Sequence, residues 1–292
     1  MEALSTSSFQ LITWSVHTIA LAGLCIGIGG AFFTNWISDS SNIARLIAMF
    51  GVVVGLLAVP VSPVASQNSW SREVMTFLSD VALLPITAGY CPMAQVAGSI
   101  LLIGLLSLAV RGIVGKILSL AAIVLLGLLA AVAVRPDVEI PVWLTGSALF
   151  LHTIGIAIWV GALPPLAILL ANSSPSGMAA LARFSYVAPF AVLPVIASGV
   201  LLGLVRLETL EALWTTSYGR VLVLKLVLFA ALFGIAVFNR ISLTEPALQG
   251  QERARTLLRR LILLELAIAA LILAVVAAWR TTRLPSELRS LL

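Results

Sequence analysis

Eight stretches of the chain are apolar over about the length a helix needs to cross a bilayer, roughly 20 residues. They run over 11–33, 43–64, 92–110, 116–134, 143–170, 184–205, 219–238 and 260–279. Short polar breaks between them hold most of the Arg, Lys, Asp and Glu. The stretch 65–91 departs from this rhythm. Gln67, Asn68, Arg72, Glu73 and Asp80 make it too polar to span, and it reads as an interfacial helix or re-entrant piece ending at Gly89-Tyr90-Cys91-Pro92-Met93. Lipid offers backbone groups no partner, so such spans must be helical. The pattern predicts an all-α polytopic membrane protein with eight transmembrane helices.

The linker near 135–142 divides the eight into two sets of four, a first four-helix transmembrane repeat over 1–134 and a second over 143–283. His17-Thr18-Ile19-Ala20-Leu21-Ala22-Gly23 echoes His152-Thr153-Ile154-Gly155-Ile156-Ala157-Ile158, and the chain has 2 histidines in all. Arg45 opens the second run as Arg183 opens the sixth, and Tyr90 precedes the third as Tyr218 precedes the seventh. Four helices is an even number, so the repeats would be parallel, related by an axis along the membrane normal. Such an axis places both histidines at equal depth, roughly 12–14 Å inside their helices at 1.5 Å per residue.

Local signals refine the picture. Gly23, Gly27, Gly29 and Gly30 would let another helix approach the first closely. Arg111-Gly112 with Gly115-Lys116 reads as a tight turn between the third and fourth helices. Pro164-Pro165 is expected to break or bend the fifth helix, and Pro189 and Pro194 fall within the sixth. Residues 241–259 read as the longest charged loop.

Composition sharpens the class. Hydrophobic residues are 61% and charged residues 10%, with mean hydropathy +1.13, which excludes a soluble globular chain. The net charge of +5 comes from arginines in the short breaks, a collar against lipid headgroups and not a nucleic-acid surface. With the N-terminus on side one, the side-two loops carry Arg45, Arg111, Lys116, Arg183, Arg240, Arg253, Arg255, Arg259 and Arg260. The excess places side two in the cytoplasm and both termini in the periplasm. No basic residue precedes the first run and no small-x-small pattern follows it, so it reads as a retained helix and not a signal peptide.

The candidate chemistry is sparse. His17 and His152 are ionisable groups inside apolar runs, which points to function. Neutral imidazole is a good copper ligand, and a pair of them also suits haem iron. The alternative is two structural histidines bonded across helices. Cys91 and Met93 offer two soft sulfurs at the expected outer mouth, a donor set that selects Cu(I); equally, both residue types serve as apolar filler. Cys25 reads as a buried filler thiol or, less simply, a relay ligand. Lys225 and Glu265 lie at different depths of antiparallel neighbours; Lys225 reads as snorkelling outward beside Arg220, or Glu265 as a partner for Arg240 or Arg260 in a structural ion pair, with proton coupling by Glu265 or Asp80 as the other reading. There is no Walker loop, no dinucleotide glycine pattern and no His–carboxylate cluster for an open zinc site, so the class is carrier, channel or electron-transfer protein and not enzyme.

The runs His152…Trp159-Val160-Gly161, Arg183-Phe184-Ser185, Ser198-Gly199, Tyr218-Gly219-Arg220-Val221-Leu222-Val223-Leu224-Lys225, Asn239-Arg240 and Glu265 resemble the copper resistance D family. The motif-bearing part covers about 143–266, and the first half is similar in architecture and in the His17 echo. The resemblance implies an eight-span bacterial inner-membrane protein that moves copper inward beside a periplasmic copper-binding protein. Two functions follow as expectations. In one, copper is caught by Cys91 and Met93, passes to His17 and His152 and leaves inward. In the other, His17 and His152 are the axial ligands of a haem b.

Overall fold

A computed structural model describes residues 2–38, 41–58, 92–132, 141–171, 175–206 and 211–282. The polar stretch 65–91, with Asp80, Tyr90 and Cys91, lies outside the described residues, and so does most of the linker between the two halves. Every regular element among the described residues is helical. In chain order they are α1 (Glu2–Trp36), α2 (Asn42–Ala58), α3 (Pro92–Ala109), α4 (Ile113–Val132), α5 (Val142–Ala171), α6 (Pro175–Arg206), α7 (Ala212–Thr215) and α8 (Ser217–Phe238). A π-turn, Asn239–Leu243, leads to α9 (Thr244–Leu248), and α10 (Glu252–Thr282) closes the series.

Among the described residues, six segments are long and apolar enough to cross a membrane: Thr18–Trp36, Ile113–Val132, Val142–Ala171, Pro175–Val205, Gly219–Leu248 and Glu252–Ala277. The described parts of α2 and α3 are apolar but shorter. Large apolar side chains face outward in stripes, as Leu46, Phe50, Val53 and Leu57 do on α2. In water such a stripe would be unstable; in hydrocarbon it meets its own kind.

Two cores meet at α1. Ile28 and Ala31 of α1 join Val52, Leu101, Ile123 and Ala157 in one. Phe33 and Ile37 join Leu163, Leu166, Leu181, Phe184, Leu258 and Ile262 in the other. The glycines of α1 serve the close approach their spacing predicted. A Cβ at Gly23 would sit 2.6 Å from Gly55 Cα, and one at Gly161 would sit 2.7 Å from Gly29 Cα, so backbone touches backbone on both sides of this helix.

One end of the bundle is basic and tied together by carbonyl bonds. Arg45 Nη1 donates to Leu108 O at 2.6 Å and Arg183 Nη1 to Ile37 O at 3.1 Å. Both guanidinium groups thus cover the electronegative C-terminal end of a neighbouring helix. Trp36 Nε1 reaches Lys116 O and Ser119 Oγ, with Lys116 Nζ 5.5 Å from the Trp36 ring. Gly112, at φ 76°, makes the tight turn from α3 to α4.

Three expectations change. The fifth helix runs unbroken through Pro164-Pro165 to Ala171, so the prolines do not break it, and Leu163 and Leu166 on either side of them are buried in the core. The sixth begins at Pro175, well before Arg183, since proline suits a first helical turn. The charged segment 241–259 is mostly helix, interrupted only around Gly250 at φ 85°. Its arginines alternate with a buried stripe, Ala254, Leu258 and Ile262, at helical spacing.

Candidate metal-binding site in the membrane

His152 projects from α5 toward α6. Its Nδ1 lies 3.1 Å from Val195 O and 3.1 Å from Ser198 Oγ. Val195 O can only accept, and Ser198 Oγ sends its own proton back to the carbonyls of Pro194 and Val195. Both neighbours therefore ask Nδ1 to donate. A neutral ring carries its proton there, an assignment made from these contacts, and Nε2 keeps its lone pair. This is the arrangement found around metal-ligating histidines, where a carbonyl holds one nitrogen and fixes the tautomer that leaves the other free to ligate. Gly199 completes the pocket wall: a Cβ at that position would stand 3.4 Å from His152 Cε1. The ring is half-buried.

The sequence reading singled out His152 but missed Ser198 as its partner. The signal was present in Ser198-Gly199, a hydroxyl beside a residue with no side chain, shortly after a mid-helix proline.

His17 lies on α1, and its side chain is outside the described residues. Its backbone height can still be compared with that of His152. α1 ends at the basic end, where Asn35 Nδ2 bonds Ser107 O and Ile37 O meets Arg183. α5 starts at the other end beside the last turns of α4, with Gly146 near Ala131, so the two helices run in parallel. Counting back from the Gly29–Gly161 contact gives about 18 Å for residue 17 and about 13 Å for His152, at 1.5 Å per residue. The two positions differ by roughly one helical turn. Azimuth separates them further. Ala157 and Gly161 form the face of α5 turned to α1, and His152 is about 140–180° around the helix from them at 100° per residue. His152 faces α6, away from the α1 seam.

Of the soft donors, Cys91 lies outside the described residues, and Met93 falls in the first turn of α3 with its side chain likewise outside them. Cys25 is a free thiol; its carbonyl, not its sulfur, is what a side chain at Gly161 would strike. Among the described residues no three His, Cys, Asp or Glu side chains gather in one place.

Glu265 pairs differently from the expectation. Its Oε1 accepts from Asn239 Nδ2 at 2.6 Å, and neither Arg240 nor Arg260 reaches it. Arg240 turns instead to Ser185 O on α6. The π-turn swings Asn239 inward and Arg240 outward at adjacent positions: Asn239 is buried and Arg240 exposed. The remaining motif residues are packing devices. Trp159 is buried edge-on against Phe229, with centroids 6.4 Å apart. Phe184 meets Phe33 in the same way at 6.3 Å.

The fold defines a polytopic helical membrane protein in which one histidine is held by a carbonyl and a hydroxyl between two of its spans. In comparison with known proteins, residues 178–279 match the family model for Copper resistance protein D. The matched segment takes in Arg183, Ser198, Gly199, Asn239, Arg240 and Glu265, and His152 precedes it. The chain is also 28% identical over 238 residues to the "Inner membrane protein YebZ" of Escherichia coli (strain K12), spanning 80% of this chain and 78% of that protein. No solved structure matches it. The motif resemblance is thus found again by independent comparison.

Proposed function

We propose that this protein carries copper ions inward across the bacterial inner (cytoplasmic) membrane, with His152 as an intramembrane ligand for the passing ion. The observation that carries the reading is the pair of acceptors on His152 Nδ1, Val195 O and Ser198 Oγ, which leaves Nε2 as a donor atom for a metal. The family match supports copper as the cargo, and the Escherichia coli relative supports the inner membrane. A site with few protein ligands suits transport, since an ion held too firmly cannot leave.

In this reading the basic end faces the cytoplasm and both termini are periplasmic. Eight spans, α1 to α6, α8 with its π-turn, and α10, form two parallel repeats over 1–134 and 143–283. Copper arrives from a periplasmic copper-binding protein near Cys91 and Met93, and His17 lies on the approach, about a turn outward of His152. The surrounding partner is membrane lipid. Haem b held between His17 and His152 is the less supported reading, because His152 faces α6 and α1 packs on α5 backbone to backbone.

Copper-dependent accumulation in cells tests the reading. His152→Ala should abolish it while the protein stays in the membrane at parental level. A variant that accumulates copper like the parent removes His152 from the route. A Soret band in the purified protein that is lost in His17→Ala would restore haem.

A further inference from the structure

The copper route uses nothing at Asn239 and Glu265, yet both are buried, at 5% and 2% exposure. They face each other from the end of α8 and the middle of α10, toward the basic end and far from His152. Glu265 occupies a place in the apolar stripe Leu258, Ile262, Glu265, Ala269, where a Leu would be the ordinary choice. The contact between them is one bond, Asn239 Nδ2 to Glu265 Oε1. Asn239 Oδ1 is buried with no donor.

An ionised carboxylate cannot supply that donor, because it only accepts. A buried acceptor left without one keeps the full cost of its desolvation. A proton on Glu265 Oε2 provides what is missing. The O–H then donates to Asn239 Oδ1 while Nδ2 continues to donate to Oε1, closing an acid–amide ring in which every polar atom is matched. We propose that Asn239 and Glu265 form an intramembrane proton-binding site, with the side-chain amide arranged to receive the protonated carboxyl.

The surroundings suit a proton better than a metal. The donors are a carboxyl and an amide, with no sulfur or imidazole to attract copper. A hard cation would need several more oxygens, and among the described residues no cluster of three or more His, Cys, Asp or Glu side chains includes Glu265. Nor do the neighbouring elements bring an evident counter-charge. α1 and α5, both packed on α10, carry only Glu2, His17 and His152 as ionisable groups besides the Cys25 thiol, all toward the other half of the bundle or beyond it. α8 brings Lys225 from several turns outward. Arg240 and Glu245 on the π-turn and α9, and Arg259 and Arg260 on α10 itself, are exposed. The π-turn is the device that makes the pair: Thr244 N and Thr244 Oγ1 both bond Asn239 O, and this holds the backbone of Asn239 while its side chain meets α10.

The binding step is Glu265–COO⁻ plus H⁺ giving Glu265–COOH, with no other bond changed. Its coupling to copper movement rests on the proposed function; the proton site itself does not. Infrared difference spectra of the purified full chain, recorded without copper on acidification, test the site directly. A carboxylic C=O band should appear, be absent in Glu265→Gln and shift in Asn239→Leu. Glu265→Gln is the fair variant, because an amide–amide ring keeps both hydrogen bonds and the fold. No band, an identical band in Glu265→Gln, or a change that follows sodium and not pH would overturn the proposal. Proteoliposomes then report coupling: copper uptake by the parent should respond to an imposed pH gradient, and Glu265→Gln should lose that response. If the Glu265 band titrates but no copper moves in either protein, the copper reading fails alone; if copper moves and no Glu265 band exists, the proton site fails alone.

Discussion

Gly161→Ala adds one methyl group to a helix and, on general grounds, should help, since Ala is favoured over Gly in a helix interior by up to about 1 kcal/mol. The structure says the reverse. The new carbon would lie 2.7 Å from Gly29 Cα and would also strike the carbonyl oxygen of Cys25. Both obstacles are backbone, so no rotamer change relieves them, and α1 must move away from α5. Overpacking of this kind costs about 1–3 kcal/mol, more than the propensity gain. Gly203→Ala in α6 is the internal control: it is the same substitution in a helix, with nothing within 4 Å of the new methyl. Reversible unfolding of the purified protein in mixed detergent, followed by near-ultraviolet circular dichroism, should place Gly161→Ala about 1–3 kcal/mol below the parent and Gly203→Ala at or slightly above it. If Gly161→Ala unfolds at or above Gly203→Ala, the α1–α5 seam is not the tight contact described.

The polar support of His152 and the direction of the bundle can be checked as simply. Ser198→Ala removes one of the two acceptors that hold Nδ1, and copper affinity measured by calorimetry should fall about 10-fold or more; an unchanged affinity would mean the hydroxyl does not orient a ligand. Gly250→Cys, in the exposed turn before α10 and made in a Cys91→Ser background, should react with a membrane-impermeant maleimide only after the cells are opened, and labelling of intact cells beyond that of Cys91→Ser alone would invert the proposed orientation.

The helices were legible because the bilayer imposes a length and a composition on each, and runs such as 116–134 and 219–238 satisfy both without ambiguity. The glycines of α1 were legible as a contact surface, but not with which helix, since a small residue accepts any partner. The segment 241–259 misled because its arginines dominate a hydropathy average, although Ala254, Leu258 and Ile262 keep helical spacing among them. Glu265 was matched with the wrong partner for a geometric reason. Charge suggested Arg240, and a regular helix gives no warning that a π-turn will exchange the inward position for that of Asn239. Ser198 was legible as part of a motif but not as the partner of His152, because a hydroxyl in a helix ordinarily satisfies itself on the preceding turn, as this one also does.

α1 contributes to both cores, and its Gly29 face is closed by Gly161 of a helix made more than a hundred residues later. Chains emerge from the ribosome N-terminus first, at about 5–20 residues per second. The first helix therefore enters the bilayer several seconds before its seam has a mate. Until α5 arrives, lipid tails or the insertion machinery must occupy a groove shaped for backbone. A nascent chain halted after α4 would leave that groove open, a feature by which membrane quality control could tell a half-made protein from a finished one.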